Sequence, residues 1–418
     1  MAGIVFVSID DFTREGFTNG LFLQVRELLK RVITRGHPAS LACIAQSRNP
    51  GVGRRTRTIQ GCTVHETFIG APEVASAYRR ALQDILNDLD PDVILLNSCA
   101  VRLNEAHHAV LDESLASGRQ VAVLVTDQLY PTSRNHPEDE VRSYYSLMRQ
   151  TSVHAVSETI ADAFHGETGV PAQVLPNLLP ERRVVPASSG AESRSLTLIN
   201  HHPIKGRRVW DALIRQRPSD AYLAVETWPD VPAYVPPSPR VEVAAFTPDP
   251  TTIYNRTRIL LVPSLGPEGL ARVTLEAMES GVPVIAHRIG SLPELGNAAM
   301  FIAPPPIAGY ELDGNVLYPM VSQNDVERAA QDLGQAIDAL DHDPALRARF
   351  VTNGRALVRD YRDHSEAVSG LAARRMVRDC VTQDTQMWGD LGFSAVCDAA
   401  DQHKRGSSRR TTRLAAAL

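Results

Sequence analysis

Lysine is nearly missing from this chain: Lys30, Lys205 and Lys404 are the only three in 418 residues, so arginine supplies almost all of the 43 basic positions. A lysine kept against that bias gains weight as a chemical choice, because its compact ammonium meets phosphate as a point charge. Cysteine is sparse as well. Cys43, Cys62, Cys99, Cys380 and Cys397 show no C-x-x-C spacing, which argues against both a disulfide framework and a zinc site and leaves buried, reduced thiols as the expectation. No run of eighteen apolar residues occurs, and Met1–Ser8 lacks the basic flank and cleavage site of a signal peptide, so a cytoplasmic protein is expected. There is no basic excess either. A net charge of −5 argues against general nucleic-acid binding, which usually leaves a basic footprint. Acidic groups such as Asp10-Asp11 and Glu138-Asp139-Glu140 lack matching ligands at useful spacing, so no metal is expected and the second group reads as a solvated acidic turn.

What is present is an ordinary globular composition, 43% hydrophobic and 22% charged with mean hydropathy −0.16, in a chain long enough for two domains and an extension. Strand and helix patterns alternate. Ile4–Ile9 reads as a strand, Leu21–Thr34 as an amphipathic helix closed by Gly36-His-Pro38, and Ala39–Ala45 as the next strand. Helix patterns at 74–88, 105–117 and 158–164 then alternate with strand patterns at 91–96, 120–125, 152–156 and 173–177, which implies a parallel, doubly wound sheet. A polar stretch, Pro186–Ser195, reads as a linker. A second alternation follows, with strands at 196–200, 221–225, 241–246, 258–262, 282–286 and 299–302. Helical patterns at 325–340, 344–361 and 365–381 end the ordered part, and the basic, turn-rich stretch His403–Arg413 reads as a flexible tail.

The chemistry concentrates in Pro263-Ser-Leu-Gly-Pro-Glu-Gly-Leu-Ala-Arg-Val-Thr-Leu-Glu276. A branched apolar strand ends at Val262, a turn carries Glu268, and helical spacing from Leu270 to Ser280 carries Glu276 until Gly281-Val-Pro283 stops it. Backbone N–H groups of Gly269, Leu270 and Ala271 would lie at the helix N-terminus, where the dipole favours an anion by about 0.3–1 kcal/mol and a diphosphate fits. Glu276 can accept hydrogen bonds from ribose hydroxyls, and Glu268 sits where a hexose hydroxyl could reach. Two glutamates alone would read as a helix-start carboxylate and a solvated helix residue, and a glycosidase also uses a carboxylate pair.

The local sequence argues against both of those readings. It resembles the E-x7-E signature of retaining family 4 glycosyltransferases (glycosyl transferases group 1, GT-B fold), and Val262-Pro-Ser264, Leu275-Glu-Ala-Met278, Gly281-Val-Pro-Val-Ile285 and Gly290-Ser-Leu-Pro-Glu294 match in order. The resemblance runs from about Ile4 to about Val381 and is sharper in the second half. It implies an α/β GT-B protein of two Rossmann-like, doubly wound domains with a cleft between them. Residues 1–185 would form the acceptor domain, 186–195 the linker, 196–364 the nucleotide-sugar donor domain, 365–384 a helix crossing back to the first domain, and 385–418 the tail.

In this frame Asn200-His-His-Pro-Ile-Lys-Gly206 stands where the family resembles Arg-x-x-x-x-Lys-Gly. Lys205 would neutralise the diphosphate, while Asn200 occupies the donor-site position of the usual arginine, whose charge Arg207, Arg208 or Arg272 could supply. Gly20, preceded by Asn19, would let the backbone approach the donor. Val125-Thr-Asp-Gln128 lies where many relatives carry His-Asp, so Thr126 replaces an imidazole and Asp127 is an acceptor-side polar group; His107, His108 and His136 carry no catalytic assignment. The expected catalytic set is therefore Glu268, Lys205 and Asp127. The expected activity is retaining transfer of a hexosyl group from a nucleoside diphosphate sugar, with no cofactor, to a small-molecule, saccharide or lipid acceptor. A non-catalytic sugar-nucleotide-binding partner protein and a GT-B-fold sugar-nucleotide epimerase are the alternatives. Arg26, Lys30, Arg31 and Arg35 on the first helix, with a basic loop at Arg54, Arg55 and Arg57, allow a peripheral contact with anionic membrane, although a solvated charged face is the plainer reading.

Overall fold

A computed structural model describes residues 3–9, 20–46, 53–59, 61–70, 74–97, 105–126, 137–180, 195–226, 233–245, 247, 249, 251–313 and 316–378. The first half runs β1 (Ile4–Ser8), α1 (Gly20–Thr34), β2 (Ala39–Gln46), β3 (Arg54–Ile59), β4 (Cys62–Ile69), α2 (Val74–Leu89), β5 (Val93–Asn97), α3 (Glu105–Ala116), β6 (Gln120–Val125), α4 (Glu138–Met148), β7 (Ser152–Ala155), α5 (Glu158–Thr168) and β8 (Gln173–Val174). Its sheet has the order β3-β4-β2-β1-β5-β6-β7-β8, parallel except for β3. The alternation of strand side chains explains the layering. Ile4 and Phe6 pack toward Phe22, Val25 and Leu28 of α1, while Val5 and Val7 pack toward Leu82 and Ile85 of α2 and Val110 of α3.

The second half runs β9 (Ser195–Ile199), a 3-10 turn (Pro203–Lys205), α6 (Arg207–Gln216), β10 (Tyr222–Val225), β11 (Val241–Ala244), α7 (Thr251–Tyr254), β12 (Thr257–Val262), α8 (Arg272–Glu279), β13 (Val284–His287), a 3-10 segment (Leu292–Ala298), β14 (Met300–Ile302), β15 (Gly309–Asp313), β16 (Val316–Met320), α9 (Gln323–His342) and α10 (Pro344–Arg378). Its main sheet, β11-β10-β9-β12-β13-β14, is wholly parallel, and Trp210 and Tyr222 meet edge to face in its core with ring centroids 5.3 Å apart. Strand order reverses beside β1 in one sheet and beside β9 in the other, which directs ligands to the carboxyl ends of those strands. Both sheets lie within one compact unit, Met1–Val377.

Four sequence expectations change. The basic loop is the edge strand β3: Arg54 pairs with Asp84 and Asp88 at 2.6 Å, and Arg55 and Arg57 close on the buried Glu66. Charge on an edge strand discourages further strand pairing, so these arginines serve the sheet itself. On α1, Arg26 pairs with Glu27 at 2.9 Å and Arg31 with Glu27 at 3.5 Å and with Glu366, while Arg35 stays exposed. Glu138-Asp139-Glu140 is the first turn of α4, where acidic residues face the positive end of the helix dipole, and not an acidic turn. The two helical patterns at 344–361 and 365–381 are one continuous helix to Arg378, since no glycine or proline separates them. Asn19, Asp127, His136, nearly all of the expected linker and the basic tail lie outside the described residues.

Candidate active site

Parallel strands β9 and β12 are neighbours, so the loops that leave their carboxyl ends meet although they are far apart in sequence. The first loop turns at Asn200, which adopts φ 70°, a left-handed conformation that asparagine tolerates, and whose Oδ1 accepts from His202 N at 3.0 Å. The side chain standing where an arginine was expected is thus used to close its own turn. His202 then caps the 3-10 turn, its Nδ1 accepting from Ile204 N at 3.2 Å, which puts the proton of the neutral ring on Nε2. Burial, with help from Lys205 and then His201, depresses the His202 pKa to about 4. Gly206 follows at φ 90°, where a Cβ would lie 1.9 Å from Pro263 O, so only glycine fits.

The second loop is tied to the first by its backbone, Leu265 N and Gly266 N donating to Ile204 O at 2.7 and 2.9 Å. Lys205 is thereby delivered to Glu268: Nζ donates to Oε1 at 2.7 Å and to Oε2 at 2.8 Å, and Ser264 Oγ donates to Oε1 at 2.5 Å. The Lys205 side chain is 23% exposed and that of Glu268 7%, so the ammonium forms the accessible side of the pair. His287, at the end of β13 and buried completely, holds Ser264 O through Nδ1 at 2.9 Å, and burial lowers its pKa to about 4. Tyr310 of β15 donates to Leu265 O at 2.8 Å. His287 and Tyr310 went unread in the sequence, and Ser264 was noted only as part of the Val262-Pro-Ser264 match; the position of His287 at a parallel strand's carboxyl end could have pointed to it.

Gly269 is pressed against the first sheet. A Cβ there would lie 2.2 Å from Thr126 O, which follows β6, so the Glu268 loop touches the position where an imidazole was expected. Gly290-Ser-Leu-Pro-Glu294 makes a second bridge: Ser291 Oγ and Ser157 Oγ are 2.7 Å apart, and Thr159 N at the start of α5 donates to Glu294 Oε1 at 2.8 Å. Gly269, Leu270 and Ala271 run into α8, whose N-cap is Ala271, one to two residues later than the sequence pattern suggests. Glu276 lies one turn inside that helix, half-buried, with Oε2 accepting from Tyr254 OH at 3.1 Å and Oε1 lying 4.0 Å from Arg272 Nε. Burial raises its pKa, while Arg272 and then Tyr254 oppose the rise. Gly20 opens α1 beside the same arginine; a Cβ there would make an ordinary contact 3.9 Å from Arg272 Cδ.

The other arginines are engaged elsewhere. Arg207 lies over the Tyr234 ring and 3.7 Å from Asp211, and Arg208 donates to Val321 O at 2.8 Å and Gln323 Oε1 at 3.0 Å. His107 lines a small apolar pocket under α3 with Val7, Leu96, Asn97 and Tyr144, apart from the Lys205–Glu268 pair. Among the described residues no helix is long and apolar enough to cross a membrane, and no group of three or more His, Cys, Asp and Glu side chains could hold a metal ion.

Two doubly wound parallel sheets, with an ammonium and a carboxylate meeting where the second sheet reverses its strand order, define a GT-B protein. Residues 212–309 match the family model described as Glycosyl transferases group 1. The fold is similar to that of sucrose-phosphate synthase from Thermosynechococcus elongatus, with TM-score 0.65, 15% identity, and 90% of this chain and 100% of that one covered. Anabaena HepE in complex with UDP and glucose gives TM-score 0.63 and 15% identity over the same shares of the two chains. A UDP-forming α,α-trehalose-phosphate synthase from Burkholderia vietnamiensis gives 0.56 and 12%, with 89% of this chain and 100% of that one covered. No curated protein sequence matches the chain.

Proposed function

We propose that this protein is a retaining glycosyltransferase that moves a hexosyl group from a nucleoside diphosphate sugar to a small-molecule, saccharide or lipid acceptor. The observation that carries this reading is the contact of Lys205 with Glu268, 63 residues apart in sequence and joined at the ends of adjacent parallel strands. Support comes from the group 1 match over residues 212–309, and from HepE, whose solved complexes hold UDP and UDP-glucose on a similar fold.

In this mechanism Lys205 turns its accessible ammonium from Glu268 to the diphosphate and stabilises it as it departs. The N-terminus of α8 adds backbone donors to the same anion. Glu268 then accepts from a sugar hydroxyl in place of the ammonium, and Glu276 accepts from the ribose. A front-face route needs no protein nucleophile, since the leaving oxygen itself takes the acceptor proton; Asp127 is the proposed acceptor-side group. One observation favours a non-catalytic, sugar-nucleotide-binding protein as second reading: the Asn200 side chain is spent on its own turn and offers the diphosphate no charge.

The test is release of nucleoside diphosphate from a panel of donors, with and without acceptors, for wild type, Lys205→Ala and Glu268→Ala. Turnover should fall in both variants, about 10- to 100-fold for Lys205→Ala if one charge-assisted contact of about 1.5–3 kcal/mol is lost in the transition state. Equal kinetics in all three proteins would sink the assignment. Binding without transfer would favour the second reading, and acceptor-free conversion of the donor sugar would indicate an epimerase.

A further inference from the structure

The segment that carries the chain out of the first sheet, Leu175-Pro-Asn-Leu-Leu-Pro180, has no regular structure and is buried through Leu179. Buried irregular backbone must find partners for its carbonyls, and here side chains from three helices supply them. Gln24 of α1 donates to Pro176 O at 3.1 Å and accepts from Leu178 N at 2.5 Å. Arg272 of α8 donates to Leu178 O at 2.6 Å, Arg31 of α1 to Leu179 O at 3.1 Å, and Arg362 of α10 to Pro180 O at 2.7 Å. Arg31 and Arg362 also make hydrogen bonds to carboxylates, Arg31 to Glu366 at 2.7 Å and Arg362 to Glu279 at 3.0 and 2.7 Å.

Arg272 differs from the other two. It is buried, its Nε and Nη2 have no hydrogen-bond partner among the described residues, and its nearest carboxylate is Glu276 at 4.0 Å. Unused donors on a buried guanidinium are costly, so the residue calls for a role that leucine or methionine could not fill. The groups acting on Glu276 are Arg272 and Glu279 of α8, Tyr254 of α7 and Arg26 of α1. Arg26 already lies 2.9 Å from Glu27, which leaves Arg272 as the cation committed to Glu276.

We propose that Arg272 is a positioning residue of the donor site: one arm grips the segment between the sheets at Leu178, and the guanidinium keeps the Glu276 carboxylate charged and ready to accept hydrogen bonds from a bound nucleoside diphosphate. The proposal rests on the reading of Glu276 as the ribose acceptor given above. Burial favours the protonated form of Glu276 and Arg272 opposes it, so loss of the arginine moves the acid limb of nucleotide affinity to higher pH.

The experiment is calorimetric binding of UDP, GDP and ADP to the full chain from about pH 5 to about pH 8, comparing wild type with Arg272→Gln, Arg272→Lys and Glu276→Gln. Glutamine keeps a donor for Leu178 O and removes the charge, whereas lysine keeps the charge and removes the planar fork. Arg272→Gln should weaken the best nucleotide about tenfold at neutral pH and shift the acid limb upward, and Arg272→Lys should bring the limb back toward wild type. Wild-type affinity and limb in Arg272→Gln, alongside weakened binding in Glu276→Gln, would overturn the proposal and leave the donor-site reading intact. Equal weakening in both arginine variants with an unmoved limb would also overturn it, because a purely structural support gives that pattern. Wild type binding none of the three nucleotides would remove the donor-site reading, and this proposal with it.

Discussion

The Lys205–Glu268 pair is unequally buried, and that asymmetry predicts which half of it the fold depends on. Lys205→Ala leaves a carboxylate that is only 7% exposed, with Ser264 Oγ as its remaining side-chain donor among the described residues. An unpaired buried charge costs about 3–5 kcal/mol when burial is complete. Water reaches this pair from the lysine side, where the side chain is 23% exposed, so a discounted loss of about 1–3 kcal/mol is expected. Glu268→Gln instead leaves an ammonium that can swing into solvent and an amide that can still accept from Ser264, at a cost of about 0.5–1.5 kcal/mol. The double variant holds no stranded charge and should resemble Glu268→Gln, so the coupling equals the Lys205→Ala loss of about 1–3 kcal/mol. Equilibrium urea unfolding of the wild type, both single variants and the double variant measures all of these terms. A Glu268→Gln loss larger than that of Lys205→Ala, or additive losses, would refute the reasoning.

Two further outcomes follow from the same loops. His287 is neutral in the fold, with a pKa of about 4 against about 6.5 unfolded, so its contribution to stability is complete above about pH 6.5 and is lost as pH falls toward about 4. His287→Asn can keep a donor for Ser264 O without titrating, and should flatten the acid side of a stability-versus-pH curve from urea unfolding; an unchanged slope would contradict this. Gly269→Ala places a Cβ 2.2 Å from Thr126 O and should cost about 1–3 kcal/mol in urea unfolding while raising the KM for donor, and a variant with wild-type stability and KM would show that the loop is free to move.

The parallel sheets were readable because their strands are short branched runs buried on both faces, and the ends of Gln120–Val125 match the expectation residue for residue. What escaped the sequence was determined by long-range partners. The arginines of β3 look like a basic loop until Glu66 and Asp84 are brought opposite them. The hairpin β15–β16 had no counterpart among the strand patterns, yet Tyr310 anchors it to the Glu268 loop.

The proposed donor-side residues divide along the same line. Lys205, Glu268 and Glu276 stood out in the sequence by type and spacing, and of these the fold brings Lys205 and Glu268 into contact through the β9–β12 pairing. Asn200 was legible as a departure, but its use was not, because a left-handed φ and a bond to His202 N cannot be seen in a residue string. Its neighbours then answer a question that the sequence left open. Of the three arginines that could stand in for the missing charge, Arg207 and Arg208 are held by Tyr234 and Asp211 and by Val321 and Gln323. Arg272 opens α8 itself, and its nearest carboxylate is Glu276 of the same helix. In the proposed reading, the diphosphate therefore meets Lys205 and the backbone of α8 among the described residues. It follows that Lys205→Arg should not rescue Lys205→Ala: the larger, planar guanidinium must fit between Glu268 and a loop whose Gly206 already lies against Pro263 O.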